Sequence, residues 1–145
     1  MPYELVWEPR GVLRRYFGDV TIAERRVSFE SICGDARFDD LRHAITNYLE
    51  VGAYEVTAQA TAEIAALHVG PLRTNPRIAM AAVATRPDIV AAIQDFIDHG
   101  FTRTPYRVFA TVDEARRWLS GLAVSGEAER WRRLPIGTQR QGAPE

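Results

Sequence analysis

Three histidines and one cysteine are the side chains of this 145-residue sequence best suited to metal binding or base catalysis. His43 lies at the start of a predicted strand and His68 beside the apolar face of a predicted helix. His99 falls in the last turn of another helix, where the dipole favours positive charge. Paired metal ligands on one helix lie about four residues apart, and these three are widely separated. We therefore predict no metal site.

Nucleophilic catalysis requires a base close to a hydroxyl or thiol, together with donors for an oxyanion. Cys33 ends a predicted helix, which is the wrong end for lowering a thiol pKa. Ser28 and Ser31 lie in the same helix with no histidine nearby in the sequence. Neither a Gly-x-Ser-x-Gly motif nor a phosphate-binding or dinucleotide fingerprint occurs. All 18 basic residues are arginines, which excludes lysine chemistry. We predict a non-catalytic protein without a cofactor.

The length and composition indicate one globular domain: 46% of the residues are hydrophobic, 26% are charged and the net charge is −1. This near-neutral balance disfavours a nucleic-acid partner. The lone Cys33 excludes a disulfide framework. The N-terminus does not have the pattern of a signal peptide, and no apolar run approaches the length needed for stable membrane insertion. A cytoplasmic location is the expectation.

The segment from Arg77 to Arg117 predicts the fold class. Ile78–Ala84 is an unbroken apolar run, typical of a strand that is buried on both faces. A helix follows, which begins near Pro87 or through a Thr85–Asp88 capping box and ends at Gly100. Tyr106–Ala110 is the next strand, and Thr111 with Glu114 caps the last helix. Strands and helices joined by such short connections predict parallel crossovers and an α/β fold.

The preceding half of the chain predicts a hairpin, two helices and a third strand. Thr21 and Glu24 form a capping box for a helix that runs to about Cys33, with Ala23, Val27, Phe29 and Ile32 inward. Thr57 caps the next helix, which Gly70-Pro71 ends or kinks. The remaining segments are the hairpin strands Tyr3–Glu8 and Val12–Phe17, the third strand His43–Leu49 and a loop, Glu50–Val56.

A change of composition divides residues 1–122, the predicted domain, from residues 123–145. The second segment is polar, with Trp131, Leu134 and Ile136 as its apolar residues. We interpret it as a tail that is either disordered or docked on the domain or on a partner. The exposed edge of the hairpin and the apolar residues of the tail are both compatible with a homodimer.

Five segments of the chain, which together cover residues 3–120, occur in a characteristic order. They are Tyr3-Glu-Leu-Val-Trp-Glu8 with Gly11, Gly18-Asp-Val-Thr21, Asp35-Ala-Arg-Phe-Asp-Asp-Leu41, Arg77-Ile-Ala-Met-Ala-Ala-Val-Ala84 and Arg107-Val-Phe-Ala-Thr-Val-Asp-Glu-Ala-Arg-Arg-Trp-Leu119. In the order and spacing of these segments, the chain resembles the SpoIIAA-like group of the STAS superfamily, whose members are also labelled STAS/SEC14-like proteins of unknown function. The resemblance implies a mixed sheet of about five strands in the order β-β-α-β-α-β-α-β-α, with surrounding helices.

The resemblance also implies a place for regulation. In phospho-regulated members of the superfamily, a serine at the start of the helix after the third strand is the switch. The matching segment here, Glu50–Thr57, lacks the Asp-Ser pair of that motif, and Thr57 is the hydroxyl nearest to the helix start. A phospho-switch at Thr57 is therefore one hypothesis, and a simple helix cap is the other.

Ligands of parallel sheets collect beyond the carboxyl ends of the strands, near helix N-termini. Arg86 would add a donor for an anion there, unless it is solvated and the neighbouring hydroxyls and carboxylates are only helix caps. This edge is the predicted ligand-binding or partner-binding site. Its candidate residues are Asp19, Glu50, Gly52, Tyr54, Thr57 and Arg86.

Three functions fit these observations. The leading hypothesis is a non-catalytic protein-interaction or ligand-sensing module that uses Glu50–Thr57 and the first helix as its recognition surface. The second is a carrier of a small apolar or amphipathic ligand, to which the SEC14-like label and the aromatic residues Tyr16, Phe17, Tyr48 and Tyr54 point. The third is the switch at Thr57. The identity of a protein partner or small ligand is left open.

Overall fold

Five strands form one mixed sheet in the computed structural model, which describes residues 2–55, 57–100 and 104–122. Their order across the sheet follows their order in the chain. The strands are β1 (Tyr3–Glu8), β2 (Gly11–Val20), β3 (His43–Tyr54), β4 (Ala79–Val83) and β5 (Tyr106–Phe109). The helices are α1 (Ile22–Cys33), a short 3-10 helix (Phe38–Asp40), α2 (Ala58–Leu67), α3 (Val69–Thr74), α4 (Pro87–Asp98) and α5 (Val112–Gly121).

The pairing of the strands confirms the predicted mixed sheet. β1 and β2 are antiparallel and form the hairpin, with Glu8 opposite Gly11 and Arg10 in a left-handed conformation at the turn (φ 59°). The pairs β2–β3, β3–β4 and β4–β5 are all parallel. The α/β architecture predicted from the sequence is therefore confirmed.

Helices cover β4 on both sides, which explains its unbroken apolar sequence. Ala82 and the following Ala84 pack with Ile89 and Ile93 of α4. The alternate residues Ala81 and Val83 pack with Ala115, Trp118 and Leu119 of α5. Because successive side chains of a strand point to opposite faces, both sets have to be apolar.

Glu8 connects the hairpin to the last helix. Its two carboxylate oxygens accept from Arg116 Nη1 at 3.1 Å and from Nη2 at 2.7 Å, while His43 Nε2 lies 2.9 Å from Oε1. The hydrogen bonds from Arg116, with a smaller contribution from His43, lower the pKa of Glu8 to about 2 against the opposing effect of burial. A Cβ at position 11 would lie 2.0 Å from His43 Nε2, so any larger residue there would displace the imidazole from Glu8.

The predicted loop Glu50–Val56 is wrong over most of its length, since β3 continues to Tyr54. The partner strand β2 also runs on to Val20. It pairs Gly18 with Val51 after one register shift and Val20 with Tyr54 after a second. Gly52 lies inside this strand although glycine weakens a strand. Pairing with a long neighbouring strand outweighs this local preference.

The predicted inner face of the first helix is partly wrong. Ile32 is buried as expected, but Ala23 and Val27 are exposed, and Ser28 takes the fully buried position. Ser28 is held inward because its hydroxyl contacts the hydroxyl of Tyr16 at 2.7 Å. The capping box of Thr21 and Glu24 at the start of the helix is confirmed.

The break predicted at Gly70-Pro71 occurs slightly earlier. α2 ends at Leu67, His68 separates the two helices, and α3 begins at Val69. Pro71 then lies in the first turn of α3, where its missing N–H is not needed. Its ring would clash with the carbonyl four residues earlier in a continuous helix, and that residue is Leu67. The predicted tail, residues 123–145, lies outside the described residues.

Candidate functional site

Asp19 and Arg86 hold the end of β3 from two sides. The Asp19 carboxylate accepts a hydrogen bond from Ala53 N at 2.9 Å. Arg86 Nη1 donates to the carbonyl of Gly52 and, at 3.2 Å, to that of Val51. The structure therefore brings together three of the predicted site residues, Asp19, Gly52 and Arg86, around one strand end.

The charge of Arg86 is already paired. Its Nε donates to Asp88 Oδ1 at 3.1 Å and its Nη2 to Oδ2 at 2.8 Å. These hydrogen bonds lower the pKa of Asp88. An incoming anion would have to compete with this carboxylate and with two backbone carbonyls, so Arg86 supports the strand end rather than offering an open anion site.

Glu50 and Tyr54 do not belong to the group that Asp19, Gly52 and Arg86 form at the strand end. The exposed Glu50 carboxylate pairs with Arg15, which also contacts Glu4 at 2.8 Å. Tyr54 is 9% exposed and packs edge-on against Tyr48, with 5.6 Å between the ring centroids. Burial raises the pKa of Tyr54 well above its ordinary value. Tyr54 is therefore a core residue, and Glu50 belongs to a surface ion-pair cluster.

Thr57 begins α2 and is exposed. Its hydroxyl oxygen accepts from Ala60 N at 3.0 Å, which is the geometry of an N-cap. Two residues earlier, the Glu55 carboxylate accepts from Ile22 N and the Glu55 carbonyl accepts from Arg25 Nη1 at 3.1 Å. These contacts join the start of α1 to the connection between β3 and α2, so the two form one continuous surface.

The outer side of α1 carries an exposed apolar residue. Val27 is 49% exposed, and Ala23, one helical turn earlier, is exposed as well. Arg26 reaches Glu63 of α2 at 3.5 Å. We call the outer side of α1 together with the exposed residues Gly52, Ala53, Glu55 and Thr57 the α1–β3 surface.

Arg14 is a partly buried polar residue that is not among the site residues predicted from the sequence. It extends from β2 towards α1, where Nη1 donates to Ser28 Oγ at 3.0 Å and Nη2 donates to Thr46 Oγ1 at 3.0 Å. Its guanidinium lies 5.0 Å from the centroid of the Tyr16 ring. A signal was available, because the adjacent residues Arg14 and Arg15 face opposite sides of a strand and one of them has to point towards the helices.

Two small cavities adjoin Arg14, with volumes of about 30 Å³ and 50 Å³. Both are lined by Arg14, Phe29, His68 and Tyr106. Binding sites for organic ligands usually measure roughly 300 Å³ or more. The space around the aromatic residues is thus far too small for the ligand that the carrier hypothesis requires.

His68 lines both cavities as a neutral side chain. Its Nδ1 donates to the carbonyl of Ile64 at 2.7 Å, and its ring stacks on Phe29 with 3.9 Å between the centroids. Burial lowers the pKa of His68 to about 4, so the imidazole is uncharged at neutral pH. Its contacts are those of a core residue.

Comparison with solved structures identifies the fold. The unphosphorylated form of the anti-sigma factor antagonist SpoIIAA superposes with a TM-score of 0.58 at 14% identity, over 82% of this chain and 98% of that one. The phosphorylated form of the Bacillus cell-fate determinant SpoIIAA gives 0.56 at 15% identity, over 81% and 98%. The chain has the SpoIIAA-like fold. A DUF3478 protein with a SpoIIAA-like fold from Shewanella loihica PV-4 gives 0.50 at 13% identity, over 81% of this chain and 91% of that one.

The likeness is one of structure, since no family model and no curated protein matches the sequence.

Within residues 2–55, 57–100 and 104–122 of this SpoIIAA-like fold, no three metal-ligating side chains lie close enough to hold an ion. Burial raises the pKa of Cys33 to about 11, so its thiol stays protonated at neutral pH. Over the same residues, no helix has the length and apolarity needed to cross a membrane.

Proposed function

We propose that this protein is a non-catalytic protein-interaction module that recognises its partner through the α1–β3 surface. The observation that carries the proposal is the exposure of Val27 at 49% on a helix whose inward position is taken by Ser28. An amphipathic helix normally buries its branched apolar residues. Here the polar Ser28 is buried and the apolar Val27 faces out, which favours a contact with another protein.

The rigidity of this surface supports the same proposal. Arg25 and Glu55 fasten α1 to the end of β3, and Asp19 and Arg86 fasten that strand end to its neighbours. A surface that is already ordered loses little conformational entropy when a partner binds. The small cavities near Arg14 give no comparable support to a carrier of organic ligands.

The likeness to SpoIIAA adds a structural precedent. One of the similar structures is an anti-sigma factor antagonist, and the two SpoIIAA structures are of unphosphorylated and phosphorylated forms. In this chain, the exposed Thr57 at the N-terminus of α2 is the position at which a phosphate would gain from the helix dipole. A switch at Thr57 is accordingly the second candidate function.

Copurification followed by native mass spectrometry tests the proposal. The tagged protein would be expressed in its source organism, purified at low salt and weighed without denaturation. We expect a complex of defined stoichiometry, either with another protein or with a second copy of this chain. Protein that carries a stoichiometric organic molecule and no protein partner would contradict the proposal and support the carrier instead.

A further inference from the structure

Among the described residues, the guanidinium of Arg14 has no charged partner. Its hydrogen bonds go to the neutral hydroxyls of Ser28 and Thr46, and its Nε is shielded from solvent with no hydrogen-bond partner. Within the part of the chain that the structure describes, no carboxylate is paired with it. Removing an ion from water without pairing it is costly.

The smaller cavity next to Arg14 is lined by two arginines. Arg25 lines it as well, with its guanidinium 4.7 Å from the centroid of the Tyr54 ring. No aspartate or glutamate is among its described lining residues. His68 and the surrounding tyrosines cannot compensate, because burial keeps the imidazole neutral and raises the pKa of Tyr16 and Tyr106.

The size of the cavity limits what could supply the missing charge. About 15 Å³ already admits one water molecule, so a cavity of about 30 Å³ has room for one or two waters or for one small monovalent anion. A phosphate ester or an organic acid is too large. Chloride is only slightly larger than water, and the N–H groups of a guanidinium are charged donors from which an anion accepts strong hydrogen bonds.

We infer that the cavity between Arg14 and Arg25 is a binding site for a small monovalent inorganic anion of the size of chloride. The bound anion neutralises Arg14 beneath α1 and so stabilises the packing of that helix on the sheet. This inference concerns the interior of the domain and does not depend on the proposed partner.

Thermal unfolding in mixtures of sodium gluconate and sodium chloride at constant ionic strength tests the inference. Gluconate is too large for the cavity, and constant ionic strength keeps surface screening unchanged. We expect the midpoint temperature of the wild type to rise with chloride. Above the dissociation constant, the folding equilibrium constant should increase about tenfold for each tenfold rise in chloride. A midpoint that is independent of chloride would overturn the inference.

Arg14→Met and Arg15→Met form a matched pair of variants. Arg15 is the neighbouring arginine, whose partners are the surface residues Glu4 and Glu50. The chloride dependence should disappear in Arg14→Met and persist in Arg15→Met. Dependence that survives in Arg14→Met would place the anion elsewhere and overturn the inference.

Crystals of the wild type soaked in bromide provide a second measurement that needs no variant. An anomalous peak within hydrogen-bond distance of Arg14 supports the site even if Arg14→Met does not fold. A cavity filled only by water in such crystals overturns it.

Discussion

Arg25 and Glu55 join the first helix to the end of the third strand. Arg25 Nη1 donates to the Glu55 carbonyl at 3.1 Å, and the Glu55 carboxylate accepts from the first amide of α1, that of Ile22. A carboxylate at a helix N-terminus is favoured by the dipole. The pair therefore fixes the position of α1 relative to residues 50–55, and the proposed recognition surface depends on that relationship.

Replacing Arg25 with alanine should destabilise the domain measurably. The variant loses a hydrogen bond from a charged donor and the contact with the Tyr54 ring, which together predict a decrease of about 1 to 3 kcal/mol in the free energy of unfolding. Urea denaturation measures it. Arg26→Ala is the control, because its pair with Glu63 is long and exposed and should contribute less than about 1 kcal/mol. Equal losses in the two variants would contradict this role of Arg25.

Glu8 should make stability depend on pH in the acid range. The pKa of its carboxyl is lowered from 4.5 to about 2 in the folded protein, chiefly by Arg116, so the unfolded chain binds the proton more readily. The stabilisation is present above pH 4.5 and is lost as the pH falls towards 2. Because Arg116 is 42% exposed, we discount the contribution for solvent screening to about 1 to 2 kcal/mol.

The variant Glu8→Gln tests this linkage. It should be less stable than the wild type at pH 7 and should show a flatter loss of stability between pH 4.5 and 2, as measured by urea denaturation at each pH. Glu4→Gln is the matched control, because Glu4 is 49% exposed and pairs with Arg15 at the surface. If Glu8→Gln retains the wild-type slope, another carboxyl is responsible.

Two substitutions at Thr57 distinguish a helix cap from a phospho-switch. Thr57→Ala removes the acceptor for Ala60 N and should lower the free energy of unfolding by about 1 kcal/mol. Thr57→Glu adds negative charge at the same place. If Thr57 is a switch, the Glu variant should alter the affinity for the copurified partner while its circular dichroism remains that of a folded domain. Identical affinities of Thr57→Glu and wild type would leave Thr57 as a cap.

The sequence predicted the fold well wherever local patterns and packing agree. The apolar run of β4 reflects the helices on both of its faces, and the capping box of Thr21 and Glu24 places the start of α1. Both are signals within a few residues of the chain.

The candidate site was harder to predict because distant residues determine it. Residues 50–54 are a strand because β2 extends alongside them, and the local sequence around Gly52 does not indicate this pairing. Ser28 of α1 is buried in preference to Val27 because Arg14 and Tyr16 of strand β2 are its hydrogen-bond partners. Tyr54 was expected at the edge formed by the strand ends, but it packs with Tyr16 and Tyr48 in the core. Such tertiary pairings override helix and strand periodicity.

The most direct test of the proposed function is the affinity of Val27→Glu for the copurified partner, compared with that of Val6→Glu. The two valines are similarly exposed, at 49% and 42%, but Val6 lies on the edge strand β1, outside the α1–β3 surface. We expect Val27→Glu to weaken binding at least about tenfold, because a charge would be buried in the contact, and Val6→Glu to bind like the wild type. Wild-type affinity in Val27→Glu, with the domain folded, would show that recognition does not use the outer side of α1.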